Sequence, residues 1–203
     1  MTMKGWNTMR RHSLTGLLAL AALALASPAE AHIIDASGAG WVQGFSHPFS
    51  GLDHILAMVA VGVWAAQTGR PALWVLPVVF PLAMAVGGLL GVAGVPVPGI
   101  EAGIAASVLG LGLLIAFQAK PPLAISVALV ALFALFHGHA HGTELPQAAS
   151  PVLYGAGFVL ATAILHLIGV SIGSVMRLPK GMAAIRVGGG AIAAAGIALF
   201  IGL

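Results

Sequence analysis

Beyond residue 50 the chain alternates long apolar runs with short polar breaks, and the runs are about as long as a bilayer is thick. Six of them cover residues 51–68, 72–94, 100–118, 123–141, 152–174 and 183–203. At 1.5 Å per helical residue, each crosses about 30 Å of hydrocarbon or nearly so. The breaks carry helix-ending residues: Gly69-Arg70-Pro71, Val95-Pro96-Val97-Pro98-Gly99, Ala119-Lys120-Pro121-Pro122, residues 145–151, and Leu178-Pro179-Lys180-Gly181. The pattern predicts an all-α, polytopic membrane protein, a six-helix transmembrane bundle occupying residues 32–203. Small-xxx-small pairs such as Gly87/Gly91 and Gly169/Gly173 predict close helix packing, because lipid supplies no hydrophobic drive between helices.

The first 31 residues follow a different pattern. Lys4, Arg10 and Arg11 precede an apolar run from Leu14 to Ala26, which is too short to span, and Ala29-Glu30-Ala31 supplies a small-x-small cleavage signal. Residues 1–31 therefore read as a cleaved signal peptide, with an uncleaved anchor helix as the alternative. Cleavage after Ala31 makes His32 the first mature residue, whose amine and ring nitrogen chelate together; cleavage after Ala29 leaves Glu30 first instead.

Composition sharpens the class. The chain is 60% hydrophobic and 6% charged, with a mean hydropathy of +1.07, which excludes an ordinary soluble domain. Its pI near 10.0 comes from a net charge of +3 on few groups, without a basic cluster of the kind that tracks phosphates, so nucleic acid is not an expected partner. There is no cysteine, which removes disulfides and thiolate metal sites. Arg70, Lys120, Arg177, Lys180 and Arg186 all fall in or beside alternate connections, while Glu101 and Glu144 fall in or beside the others. The positive-inside rule makes the basic side cytoplasmic and both mature termini periplasmic.

Against this apolar background eight histidines stand out. An Asp at the centre of a membrane helix costs about 2.5–3.5 kcal/mol on insertion scales, so ionisable groups there point to function. One group is His47-Pro48-Phe49-Ser50-Gly51-Leu52-Asp53-His54. Pro48 suits a first helical turn, with His47 as cap and Asp53-His54 about two turns in. His54 and Met58 share a face at i,i+4, so Met58 offers a thioether. His47 and His54 stand about 10 Å apart along a regular helix, too far to share one ion. Either His47 folds back or it serves a separate step. Asp53 either binds a metal directly or fixes the tautomer of a ligating histidine. The second group is His137-Gly138-His139-Ala140-His141-Gly142-Thr143-Glu144. His137, His141 and Glu144 line one face if the helix continues that far, and His139 points roughly opposite. Imidazoles with a carboxylate suit Ni²⁺, Co²⁺, Zn²⁺ and Fe²⁺. Both groups fall on the outer side of the predicted topology. His166 lies about 20 Å along the fifth run, as a relay or as a packed histidine bonded to a neighbouring helix. Glu101 is expected at a helix start facing water.

These residues resemble the HupE/UreJ family of membrane proteins associated with nickel-dependent hydrogenase and urease systems. The matching stretches are His47-Pro48…Gly51-Leu52-Asp53-His54…Met58…Val61-Gly62, Phe136-His137-Gly138…His141-Gly142…Glu144, and Ala161-Thr162-Ala163…Leu165-His166…Gly169. The resemblance implies secondary uptake of nickel, or cobalt, across the inner membrane. It carries the family's functional motif onto His47, Asp53, His54, His137 and His141; His139 lies within the second motif. The expected metal residues are thus His47, Asp53, His54, His137, His139, His141, Glu144, His166 and His32. Ni²⁺ or Co²⁺ is expected as cargo rather than as a prosthetic group, the lipid bilayer is the other partner, and homo-oligomerisation stays open. No nucleotide-binding motif is present, so this chain is not expected to hydrolyse ATP or to be an enzyme. Uptake is expected to fail as pH falls through the imidazole range, since a ligating histidine must be neutral. The alternative is an intramembrane zinc hydrolase using His137, His141 and a carboxylate. A haem cytochrome is disfavoured by the clustering of histidines at one membrane edge.

Overall fold

The apolar runs form helices, and their ends fall where proline and glycine interrupt the pattern. The structure, a computed structural model, describes residues 36–145 and 150–202. Among these residues are seven α-helices: α1 Ala36–Ser46, α2 Leu52–Thr68, α3 Ala72–Val92, α4 Ile100–Ala116, α5 Leu123–Thr143, α6 Pro151–Gly173 and α7 Gly181–Phe200. Short 3-10 turns occupy His47–Phe49 and Ser174–Arg177. Helices α2 to α7 match the six predicted runs to within three residues at each end. Helix α1 is not predicted by hydropathy. The expected signal peptide and His32 lie outside the described residues.

Four helices, α3, α5, α7 and α6 continued to Arg177, are individually long and apolar enough to cross a membrane. The expectation of six separate crossings is thus met by four. Helices α2 and α4 have 17 residues each, about 25 Å of helix, a little under the hydrocarbon thickness. Helix α2 reaches the required length only together with Gly40–Phe49, across a bend of 77°. On the outside of α3, Trp74, Val78, Leu82 and Val86 form an exposed apolar stripe at four-residue spacing. Water does not tolerate such faces in bulk, and lipid does.

Glycine sets the helix contacts. A Cβ on Gly138 or Gly142 of α5 would collide with the carbonyls of Met84 and Gly88 in α3, and one on Gly87 with that of Leu135. Gly62 and Gly169 meet in the same way where α2 crosses α6, and Gly112 and Gly189 where α4 meets α7. Backbones this close gain dispersion contact that a side chain would prevent. Between the helices lie Trp64, Phe80, Met58, Leu76 and Leu111, all fully buried.

One end of the bundle is closed by hydrogen bonds to carbonyls at the end of α4 and just beyond it. Trp64 Nε1 donates to Ala119 O at 2.9 Å, Gln67 Nε2 to Ile115 O at 3.1 Å, and Arg186 Nε to Ala116 O at 2.9 Å. A guanidinium suits the negative end of a helix dipole. This end carries Arg70, Lys120 and Arg186. His47, His54, His137, His139 and His141 gather at the other end, where α2 begins and α5 finishes.

Candidate metal centre

The chain entering α2 is broken so as to turn His47 back. Pro48 sits in the first turn of the 3-10 segment His47–Phe49, which Ser46 precedes without capping it through its side chain. Ser50 Oγ donates to His47 O at 2.6 Å, and Gly51 is extended (φ −106°, ψ 127°) before α2 starts. His47 is therefore not the cap of the long helix, and Asp53 and His54 lie in its first turn rather than two turns in. The turn and bend replace the regular helix that would hold His47 and His54 apart. Their rings stack at 6.1 Å between centroids. Of the two alternatives that the sequence leaves open, folding back is the one observed. Asp53 at the helix start meets the positive end of the dipole.

Helix α5 runs to Thr143, two residues beyond the predicted end, so that His137 and His141 both stand on regular helix one turn apart. Both are buried. The His141 ring is 4.4 Å from that of His54 and 4.7 Å from that of His47. His137 is 5.2 Å from His54. One ligand nitrogen from each of His47, His54 and His141 lies within 4.8 Å of the other two. Nitrogens at about 2.1 Å from a common ion stand at most ~4.2 Å apart, so small ring movements bring these three onto one cation. Both nitrogens of His141 are buried without a hydrogen-bond partner. Asp53 Oδ2 lies 3.2 Å from His54 Nδ1, and Glu144 Oε2 lies 3.9 Å from His47 Nε2 at the exposed rim. Phe158 of α6 closes the inner wall, 4.3 Å from the His141 ring.

The remaining histidines separate. His137 Nε2 lies 2.8 Å from Ser107 Oγ, and Ser107 donates its proton to Ile104 O at 2.6 Å. Ser107 must then accept from His137, which puts the proton on Nε2 and leaves the Nδ1 lone pair free. That nitrogen is buried and unpartnered. His139 instead donates through Nε2 to Val95 O at 2.7 Å, tying α5 to the connection between α3 and α4. It stands outside the cluster, as its opposite direction on the helix dictates. His166 is deeper, across Phe80, whose ring is 5.9 Å from that of His137 and 5.2 Å from that of His166. Met58 is fully buried in the core.

Two features are not read from the sequence. Ser107 is the lone hydroxyl of α4, a polar residue in an apolar run, and that isolation was the available signal. Glu101 stands at the start of α4 as expected, yet it also lines a cavity of about 300 Å³ together with Asp53. The pairing needs α4 beside α2, which spacing alone does not give.

Apolar helices around a buried imidazole cluster define an all-α protein of the membrane with a candidate cation site. The chain belongs to the HupE / UreJ protein family, whose sequence profile matches residues 20–199. It is 49% identical over 183 residues to the protein HupE of Rhizobium leguminosarum bv. viciae, covering 90% of this chain and 95% of that protein. No solved structure matches the chain.

Proposed function

We propose that the protein is a secondary permease that carries Ni²⁺, with Co²⁺ as the alternative cargo, from the periplasm into the cytoplasm. The observation that carries this reading is the approach of His47, His54 and His141, from three separate elements, to within 4.8 Å at one end of the bundle. Family membership supports it independently. In this reading six helices cross the inner membrane, the histidine end faces outward, and the basic end faces the cytoplasm.

A hydrated cation is drawn into the cavity lined by the carboxylates of Asp53 and Glu101. It exchanges waters for neutral imidazole nitrogens of His47, His54 and His141. Asp53 Oδ2, 3.2 Å from His54 Nδ1 though outside hydrogen-bond geometry, needs only a small rotation to hold the proton there and leave Nε2 to the metal. His137, its free Nδ1 set by Ser107, is the next ligand inward. Movement of a doubly charged ion toward a negative interior is favoured by about 4.6 kcal/mol per 100 mV, twice the single-charge value. The hydrolase alternative draws no support from this arrangement.

The test is metal accumulation in cells expressing the wild type, Asp53→Asn or His54→Ala. Wild-type cells are expected to gain nickel or cobalt over an empty vector, and both variants to fall to the vector level with unchanged protein in the membrane. A wild type that gains neither metal overturns the proposal.

A further inference from the structure

We propose that the bundle holds a second, inner site for the same class of cation, formed by His166 and Thr162 of α6 and the carbonyl of Pro77 in α3. The proposal rests on the permease reading, since it places this site on the inward path.

Helix α6 turns one stripe of residues toward the interior. Tyr154, Phe158, Thr162 and His166 follow each other at four-residue spacing, and all are buried. Phe158 touches the outer cluster through His141. Thr162 is one turn deeper, about 6 Å, and His166 two turns deeper, about 12 Å. The stripe thus leads from the outer histidines toward the middle of the bundle.

Each member of the inner group has an unmet bonding capacity. His166 is 1% exposed, and neither of its ring nitrogens has a hydrogen-bond partner. The Thr162 hydroxyl is fully buried and also has none. Residues at i and i+4 lie on one helix face, so the two are neighbours. The third donor comes from a proline. Pro81 lies inside α3 and has no N–H, so the carbonyl of Pro77, one turn back, loses its helical partner. The freed Pro77 carbonyl is the backbone group nearest to a hydrogen bond with His166, although the contact falls outside strict hydrogen-bond geometry.

Buried polar groups are nearly always paired, and two side chains left without a partner beside a carbonyl that has lost its helical one call for a common partner. An imidazole nitrogen, a hydroxyl oxygen and a backbone carbonyl together make an N/O set suited to a divalent transition metal. They carry no net charge when the imidazole is neutral, so they hold the ion less tightly than a site that includes Asp53. A weaker inner site is what release toward the cytoplasm requires. The competing role is a strut, with His166 and Thr162 merely joining α6 to α3.

Equilibrium dialysis of the purified full chain with Co²⁺ separates the two. Wild type is expected to bind two equivalents, the second more weakly. His166→Ala is expected to bind one, at the affinity of the first, and to lower cellular nickel uptake at least tenfold. Thr162→Val, which keeps the shape and removes the oxygen, is expected to weaken only the second equivalent and guards against misfolding of the alanine variant. One equivalent in both wild type and His166→Ala, with equal uptake, overturns the inner site and leaves the permease standing. Two equivalents in wild type without any uptake over the empty vector would instead overturn the permease reading, and with it the placement of the inner site on a transport path.

Discussion

A neutral imidazole has one N–H and one lone pair, and the hydrogen bond at one nitrogen decides what the other offers a cation. At His137 that decision falls to Ser107, which is committed as a donor to Ile104 O and can only accept from the ring. Replacing Ser107 with alanine removes the acceptor and lets the proton settle on Nδ1, which blocks the lone pair. Losing a partner of this kind typically costs about 10–100-fold in metal affinity. Ser107→Ala is therefore expected to weaken Co²⁺ binding at least tenfold, and Ser107→Thr to restore most of it. The ¹⁵N shifts of His137 in the metal-free protein are expected to report an Nε2–H tautomer in the wild type and a mixture in Ser107→Ala. Unchanged affinity and unchanged shifts would show that His137 takes its tautomer from elsewhere.

Along α5 the glycines and histidines are interleaved so that one helix does two tasks. His137 and His141 point to the cluster, while Gly138 and Gly142, each a further 100° round, seat the helix on the backbone of α3. A single added methyl at Gly138 has nowhere to go, because the neighbour is the Met84 carbonyl rather than a flexible side chain. Gly138→Ala is expected to lower stability by about 1–3 kcal/mol, as overpacking does, and to weaken Co²⁺ binding by moving both histidines. Gly155→Ala, where a Cβ meets nothing, is the control and is expected to alter neither thermal unfolding in detergent nor metal binding. The same element shows what the sequence discloses. The six apolar helices are legible because proline and glycine punctuate the hydropathy pattern, and counting crossings puts His54 and His141 at the same end without pairing them. The fold-back of His47 is not legible, since His-Pro-Phe-Ser-Gly suits a regular first turn as well as a 3-10 turn with a bend. Helix α1 is hidden for a different reason. Its eleven residues include three glycines and two serines, poor helix formers, and it is held by tertiary contact, with Gly44 against Tyr154 of α6 and Gly157 against Trp41.

At the scale of the whole bundle, basic charge and imidazoles occupy opposite ends among the described residues. Arg70, Lys120 and Arg186 stand where α2 and α4 finish and α7 begins, and the imidazoles stand where α2 begins and α5 finishes. Basic residues tend to be retained on the cytoplasmic side during insertion, so the proposed orientation has the histidine end facing outward. The absence of cysteine from the chain makes this orientation directly testable with single reporters. Val97→Cys, in the connection between α3 and α4, is expected to react with a membrane-impermeant maleimide in intact spheroplasts. Lys120→Cys, between α4 and α5, is expected to react only after permeabilisation. The outcome matters beyond topology because the membrane potential acts on the cargo with a fixed sign. With the histidine mouth outside, about 4.6 kcal/mol per 100 mV favours passage of a divalent ion from that mouth to the basic end. The opposite labelling pattern would make the same potential oppose that passage, and an unaided route from the clustered imidazoles to the basic end would then run uphill.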